Sequence, residues 1–164
     1  MTRAILAFLI AFSATTGAMA AGEDGLSQYE INGWIIEVVR DGDRAACSLI
    51  REEADGSALV VSRVSDSPFV LPVLEIAAKT DPFGAGPVSL AAGGARTEVA
   101  LDTSFDEDGV YVAAYPDIDR ADAILLAMQT AADIRLEQDG AAIASMPLAG
   151  FAAAYAEITR VCGG

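Results

Sequence analysis

The first half of the chain alternates short apolar runs with turn dipeptides. Residues 34–39 read W-I-I-E-V-V, and two further runs at 44–51 and 57–64 follow the dipeptides Asp41-Gly42 and Asp55-Gly56. Asp-Gly between two β-branched runs is a strong hairpin signal. The pattern therefore predicts a three-stranded antiparallel meander in this stretch, with Cys47 on its middle strand.

The later chain repeats the pattern with shorter runs. Pro72 lies inside one of them. Because proline has no N–H for the sheet ladder, this run predicts an edge strand or a bulge. Gly93-Gly94 and Asp139-Gly140 are the expected turns of two more hairpins. The further strands are expected at residues 69–78, 88–91, 96–101, 110–115, 134–137 and 141–146.

Two stretches have helical spacing instead of alternation. A helix over residues 119–130, capped by Asp119, is indicated by the apolar face Ala121, Ile124, Leu125 and Met128. A closing helix is indicated by apolar residues at spacings of three and four, which are Leu148, Phe151, Tyr155, Ile158 and Cys162. The pattern predicts a mainly β (α+β) fold: an antiparallel β-sandwich-like body with one internal helix and a C-terminal helix packed on it.

Residues 1–20 have the pattern of a secretory signal peptide. Arg3 gives a positive start, residues 4–12 form a short apolar core, and Ala18-Met19-Ala20 has the small-x-small pattern of a cleavage site. A membrane anchor is the alternative, but an apolar core of about nine residues is too short to span a bilayer as a helix. We therefore expect a periplasmic or secreted protein, with no membrane insertion after the signal is cleaved.

The remaining chain has the size of one domain. Removal of the signal leaves about 144 residues, which is enough to bury a core of ordinary size. Residues 21–28 are small, polar and acidic, and predict a flexible N-terminal tail. Residues 29–164 are then expected to form a single β-rich domain.

Cys47 and Cys162 are the two cysteines of the chain. In an oxidising compartment two cysteines predict one disulfide, which would join the first meander to the closing helix. Free thiols or a redox pair are the alternative. The two residues do not form the C-x-x-C motif of a thioredoxin-like protein.

The charge of the chain is strongly acidic. Without Arg3 there are nine basic residues against 24 acidic ones, a net charge of −15. Such a surface repels phosphate backbones and anionic lipids, which argues against nucleic-acid and membrane partners. An acidic surface suits binding of a basic partner or of cations. The alternative is that the acidic side chains only keep the surface of the protein solvated.

The residue types narrow the possible chemistry. The chain has no histidine, which removes Ser-His and Cys-His nucleophilic pairs and most zinc sites. No nucleophile elbow, P-loop or dinucleotide fingerprint occurs in the sequence. We therefore expect neither an enzyme nor a bound cofactor.

The acidic stretch 102–109 is the one candidate for a metal. Asp102, Asp106 and Asp108 precede a glycine, and oxygen ligands around a sharp turn suit Ca²⁺. The EF-hand spacing is only half met, because the later acid is missing, so a turn with solvated acids is the simpler interpretation. A pair of carboxylates facing each other across a groove would give a glycosidase-type hydrolase, but spacing identifies no such pair.

Two aromatic residues are candidates for contacts with a ligand or partner. Trp34 is flanked by isoleucines in a strand, which favours the core over a ligand site. Phe83 lies in a loop between a proline and two glycines. It is a candidate partner-binding residue, with packing over the sheet edge as the alternative.

The order of these features resembles a family of exported bacterial proteins. Trp34, then Cys47, a helix containing I-L-L-A-M, and the ending M-P-L-A-G-F from Met146 to Phe151 are similar to the invasion-associated locus B family and to related periplasmic domains. The resemblance implies a periplasmic or outer-membrane-associated β-rich protein, linked to host-cell invasion in some pathogens, with no established enzyme activity. The chain departs from the family in its acidic charge and in the position of Cys162.

These observations favour an exported, non-catalytic protein that binds a protein partner in the cell envelope. One alternative is an inhibitor or immunity-type protein that docks its acidic surface on a basic enzyme. Another is a carboxylate-based hydrolase, with or without a metal ion.

Overall fold

The protein consists of ten strands and two helices. The computed structural model describes residues 25–65, 67, 70–105, 107 and 109–163, so the predicted signal peptide lies outside the described residues. The elements are β1 Gly25–Ile31, β2 Trp34–Asp41, β3 Arg44–Glu52, β4 Ala58–Val64, β5 Val70–Ala78, β6 Val88–Ala92, β7 Ala95–Phe105, β8 Val110–Pro116, α1 Ile118–Met128, β9 Asp133–Gln138, β10 Ala141–Pro147 and α2 Phe151–Cys162.

All ten strands belong to one curled sheet. Its order is β1-β2-β3-β4-β5-β8-β7-β6-β9-β10, and every neighbouring pair is antiparallel. The predicted meander forms β2 to β4, and the two later hairpins form β6–β7 and β9–β10. The predicted mainly β α+β fold is confirmed.

Both helices cover the same face of the sheet, here termed the inner face. α2 packs on β2, β3 and β4, and α1 packs on β5, β6 and β7. The inward residues of the strands and the apolar stripes of both helices form one continuous core. Trp34 and Phe151 are among its largest fully buried side chains, so the expectation that Trp34 is a core residue is confirmed.

The strand β1 corrects the predicted N-terminal tail. Residues 25–28 were expected in the tail, but they pair with β2 in an unbroken register from Gly25 opposite Arg40 to Ile31 opposite Trp34. Pairing with β2 orders a segment whose own composition is typical of a loop. Residues 21–24 lie outside the described residues.

The strand containing Pro72 lies inside the sheet, between β4 and β8. Pro72 itself is paired with Val61 of β4, whereas the ladder to β8 covers only Leu74 to Ala78. The missing N–H of Pro72 therefore falls where β8 does not pair with β5. Proline marks a local edge here, although the strand as a whole is central.

Both helices differ at their N-terminal ends from what the sequence indicated, and α1 begins one residue earlier, at Ile118. The N-cap of α1 is Asp117 rather than Asp119, and its Oδ1 accepts a hydrogen bond from the Asp119 N–H at 3.1 Å. α2 begins at Phe151, after Gly150, whose φ of 81° favours glycine. No helix within the described ranges has the length and apolar character needed to cross a bilayer.

Candidate functional site

The sheet face that points away from α2, here termed the outer face, carries exposed apolar side chains. They form a row in which each residue is the direct cross-strand partner of the next: Leu26, Val39, Ala46 and Val64. Leu26, Val39 and Val64 are 67%, 49% and 40% exposed. These four residues are termed the exposed row, and they cross four consecutive strands.

A second apolar row crosses β2, β3, β4 and β5, offset along the strands from the exposed row. Its half-buried members are Ile35, Ile50, Val60 and Val73, again in direct cross-strand register. Polar residues separate the two rows and bond to each other across the strands, Gln28 to Glu37 at 3.2 Å and Ser48 to Ser62 at 3.4 Å. The two apolar rows and the polar row between them are together termed the apolar outer face.

The apolar outer face follows from the run W-I-I-E-V-V. Trp34, Ile36 and Val38 point inward and are fully buried, so the alternation of a strand turns Ile35 and Val39 outward. An antiparallel sheet with one covered face normally shows polar residues on the other. Rows of exposed apolar side chains on the open side are typical of a contact site for another macromolecule.

The charged side chains on this part of the outer face are mostly acidic. Among the described residues of β1–β5, the outward charged positions are Glu30, Glu37, Asp41, Glu52 and Glu75 against Arg44. Arg44 is the cross-strand partner of Asp41. The apolar rows are therefore bordered by negative charge, and a complementary surface would be apolar with a basic rim.

The inner side of the same strands is held by an aromatic cluster. The Trp34 and Phe151 rings meet edge to face at 5.3 Å between centroids, and Phe151 stacks on Tyr155 at 5.5 Å. The indole N–H of Trp34 donates to the Ala149 carbonyl at 2.9 Å. The Arg51 guanidinium lies 5.8 Å from the Trp34 ring centre. These contacts fix β2 and β3 against α2.

A hydrogen-bonded group of three residues joins β1 to α2. The Tyr29 hydroxyl donates to Glu157 at 3.0 Å, and Arg160 donates to both Glu157 oxygens at 2.8 and 2.6 Å. Burial and the bond to Glu157 raise the pKa of Tyr29 to about 12. The bonds from Arg160 hold the pKa of Glu157 below its usual value.

The disulfide between Cys47 and Cys162 is present and buried. It links β3 to α2 across 115 residues of sequence, with 6.1 Å between the two Cα atoms. Arg63, the cross-strand partner of Cys47, donates through Nε to the Cys162 carbonyl at 3.3 Å. A cation at the C-terminal end of a helix is also favoured by the helix dipole.

Phe83, the candidate partner-binding residue, is half-buried and packs against the core. Its loop is held by the Gln138 amide, which accepts from the Gly84 N–H and donates to the Gly84 and Gly86 carbonyls at 2.8 to 3.1 Å. Asp81 also accepts from the Phe83 N–H at 2.9 Å. This geometry favours the alternative in which the ring packs over the sheet edge. A role in partner binding stays a prediction.

Of the three metal candidates, the structure describes Asp102 alone. Asp102 was expected in a loop, but it lies within β7, opposite Ala113 of β8. The longer β7 ladder extends through part of the expected loop, because its alternating residues pair with β8 as far as Phe105. Asp106 and Asp108 lie outside the described residues, and the described part contains no group of three or more Cys, Asp or Glu that could hold a metal ion. Calcium binding and a carboxylate-based hydrolase both stay predictions.

Sequence reasoning missed the apolar outer face. The signal was present, because consecutive apolar residues in a hairpin meander leave one of each pair on the side without helices. Ile35 and Val39 are strand formers by residue type, and the outward face that they occupy depends on where the helices pack.

In comparisons with protein-family models, with curated proteins and with solved structures, the chain matches none of them. The resemblance to the invasion-associated locus B family therefore stays a prediction.

Proposed function

We propose that the protein is exported and binds a protein partner in the cell envelope through the apolar outer face. The observation that carries the proposal is the exposed row, in which four apolar residues line up across β1–β4 on the side without helices. On a strongly acidic protein, exposed apolar side chains aligned in this way favour a contact role.

The charges on the face indicate the chemistry of the partner. Five carboxylates and one guanidinium lie outward on the described residues of β1–β5. A second copy of the chain would bring like charges together, which costs free energy at an interface. We therefore propose a different protein, with an apolar contact area bordered by lysine or arginine. The acidic border also favours a second candidate, in which that partner is a basic enzyme inhibited by docking.

Two features support export. The buried disulfide is typical of proteins in oxidising compartments, and residues 1–20 have the pattern of a cleaved signal. The intact mass of the protein recovered from cells should correspond to a chain beginning at Ala21. An uncleaved chain recovered from the cytoplasm with free thiols would contradict export.

The binding proposal is tested with a pair of matched variants. Val39→Glu places a carboxylate in the exposed row, and Leu126→Glu makes the same kind of change at a leucine on α1 that is also exposed. A partner captured from envelope extract is identified, purified and titrated against each variant. We expect Val39→Glu to weaken binding by at least about tenfold, or 1.4 kcal/mol, and Leu126→Glu to leave it unchanged.

The same titration tests the border charges and the alternatives. Binding should weaken as salt is raised, because exposed charge pairs are screened. Equal effects of the two variants would contradict the face as the binding site. The protein alone is examined by sedimentation for a dimer that Val39→Glu disrupts. Such a dimer would show that the apolar outer face binds a second copy of the chain and not a different protein. If the partner is an enzyme, loss of its activity on addition of the protein distinguishes an inhibitor from an accessory protein.

A further inference from the structure

A depression of ≈ 270 Å³ lies on the outer face of the sheet, beside the rows that form the apolar outer face. Glu75 and Asp102 stand on either side of it, and Tyr111 and Ser104 also line it. Its floor is formed by Ala113 of β8. Val112 and Ile76 also line it, but both occupy inward positions of their strands and their side chains are buried in the core. The depression therefore combines two acids and an aromatic ring around the small side chain of Ala113.

The sheet register sets the spacing of the two acids. Ala113 of β8 is the cross-strand partner of Glu75 on one side and of Asp102 on the other. Because adjacent strands lie about 4.8 Å apart, the backbones of Glu75 and Asp102 are about 10 Å apart. The small side chain of Ala113 leaves the space between the two carboxylates open.

Neither carboxylate is neutralised within the part of the chain that the structure describes. Glu75 and Asp102 have no hydrogen-bonding or ion-pair partner among the described residues. By contrast, Glu137 on the outward side of β9 pairs with two arginines. Two uncompensated carboxylates across an open gap attract a cation.

The rest of the lining indicates which cation. Tyr111 is 44% exposed and lies two residues from Ala113 on the same side of β8, opposite Ser104 of β7. An exposed ring beside carboxylates suits a guanidinium, which stacks on aromatic faces and forms several directed hydrogen bonds. The small Ala113 side chain leaves room for the aliphatic stem of the side chain that carries the guanidinium. Ca²⁺ would instead require six to eight oxygen ligands.

We propose that this depression is the anchor pocket for one arginine of the partner protein. Glu75 and Asp102 accept hydrogen bonds from its guanidinium, Tyr111 stacks against it, and Ala113 provides the floor. The inference rests on the proposed function for the existence of a partner. It deepens that function, because Glu75 belongs to β5 and connects the pocket to the acidic border of the apolar outer face.

The test uses a single amino-acid probe, so that it does not depend on finding the partner. N-acetyl-arginine methylamide is titrated into the oxidised, isotope-labelled protein while backbone amide shifts are followed by NMR. The amides of residues 75, 102 and 111–113 should shift together. The lysine analogue should bind at least about threefold more weakly, because it lacks the planar fork of donors.

Matched variants separate the pocket from the general negative field. Glu75→Gln with Asp102→Asn removes both pocket charges, and Glu30→Gln with Glu98→Gln removes two exposed charges elsewhere on the outer face. The first pair of substitutions should weaken binding of the arginine probe by at least about tenfold, and the second pair by less than about twofold. Tyr111→Leu should also weaken it while keeping both acids, and the amide spectrum reports that each variant is folded.

Three results would overturn the pocket. The first is that the arginine probe causes no shifts at these residues. The second is that the two pairs of substitutions weaken binding of the probe equally. The third is that millimolar Ca²⁺ shifts the same amides and the arginine probe does not. Val39→Glu lies outside the pocket and should leave the arginine titration unchanged. If the probe binds but Val39→Glu does not affect partner capture, the proposed role of the apolar outer face is wrong and the arginine pocket stands. If Val39→Glu weakens partner capture but the probe does not bind, the arginine pocket alone is wrong.

Discussion

The outer face of the sheet differs between its two halves. On β1–β5 it carries the exposed row and the half-buried row of apolar residues. On β6, β7, β9 and β10 it carries an ion-pair cluster: Arg96 pairs with Glu137, and Arg135 lies 3.2 Å from Glu137 and 3.4 Å from Asp133. The small residues Ser89 and Ala91 of β6 separate these charged side chains. In the second half the charged side chains of the outer face therefore pair with one another, whereas the first half leaves apolar side chains exposed.

The helices on the inner face differ in the same way. α2, behind the apolar outer face, is fastened by a disulfide, by the aromatic cluster and by the hydrogen bonds of Tyr29 and Arg63. α1, behind β5–β7, is held by the packing of its apolar face. The half that presents an open apolar surface is thus the half with the firmest support. A rigid surface loses less conformational entropy on binding, so this arrangement suits a contact platform.

The largest effect should come from removing the covalent link in the first half. A loop closed across 115 residues contributes up to about 5 kcal/mol in the chain-entropy model. Cys47→Ala with Cys162→Ala should lower the free energy of unfolding toward that amount, as measured by urea denaturation. Hydrogen exchange should speed up first in α2 and only later in α1. Equal loosening of both helices would contradict the difference between the halves.

Phe151→Ala should cost about 3–5 kcal/mol, because it removes a fully buried ring between Trp34 and Tyr155. Phe105→Ala is the matched control, since that ring is 70% exposed at the end of β7, and its change should be near zero. Urea midpoints of the two variants give the comparison. An unchanged midpoint for Phe151→Ala would show that α2 does not depend on this contact.

Gly150→Ala tests how closely the start of α2 approaches the first half. A Cβ at Gly150 would lie 2.7 Å from the Asn32 carbonyl oxygen, whereas one at Gly140, with the same φ of 81°, meets nothing within 4 Å. Gly140→Ala should therefore cost only the backbone strain, about 1–2 kcal/mol. Gly150→Ala should cost about 1–3 kcal/mol more, because the backbones must separate. Equal denaturation midpoints would show that the close approach is not rigid.

The smallest effect is a change in alkaline stability. The pKa of Tyr29 is raised from 10.0 to about 12 in the folded protein, so folding favours its protonated form. Its contribution is fully present below about pH 10 and is lost as pH rises toward about 12. Tyr29→Phe cannot ionise or bond Glu157, so its unfolding free energy should fall less steeply across that window. Parallel pH curves for the two proteins would rule out this contribution.

Much of the fold could be predicted because local signals and the final pairing agree. The Asp-Gly turns marked the meander, and the three–four spacing marked the stripe of α2, whose buried members include Phe151, Ile158 and Cys162. The disulfide followed from two cysteines in a chain with an export pattern. The turns and the helical period are specified by short stretches of sequence. The disulfide needed no knowledge of the fold, because the chain has only two cysteines to pair.

The remaining features depend on residues far apart in sequence. Nothing local in residues 25–28 predicts a strand, since their order comes from β2. Pro72 correctly marked a missing ladder bond, but the sequence does not say that β8 joins the other half of the same strand. The candidate site was harder still. The exposed row and the pairing of Glu75 and Asp102 around Ala113 exist only once the register of several strands is known.

The disulfide also has a consequence for the order of events during folding. The hairpins of β1–β5 connect residues close in sequence, so they can form as soon as each strand has been made. The bond from Cys47 cannot close until Cys162, 115 residues later, has been synthesised and oxidised. Until then Cys47 is a free thiol on β3. Neither this thiol nor the inward apolar side chains of the meander are covered by α2. The inward side of the meander thus stays uncovered until α2 has been made and packed on it, and the disulfide then fixes that packing.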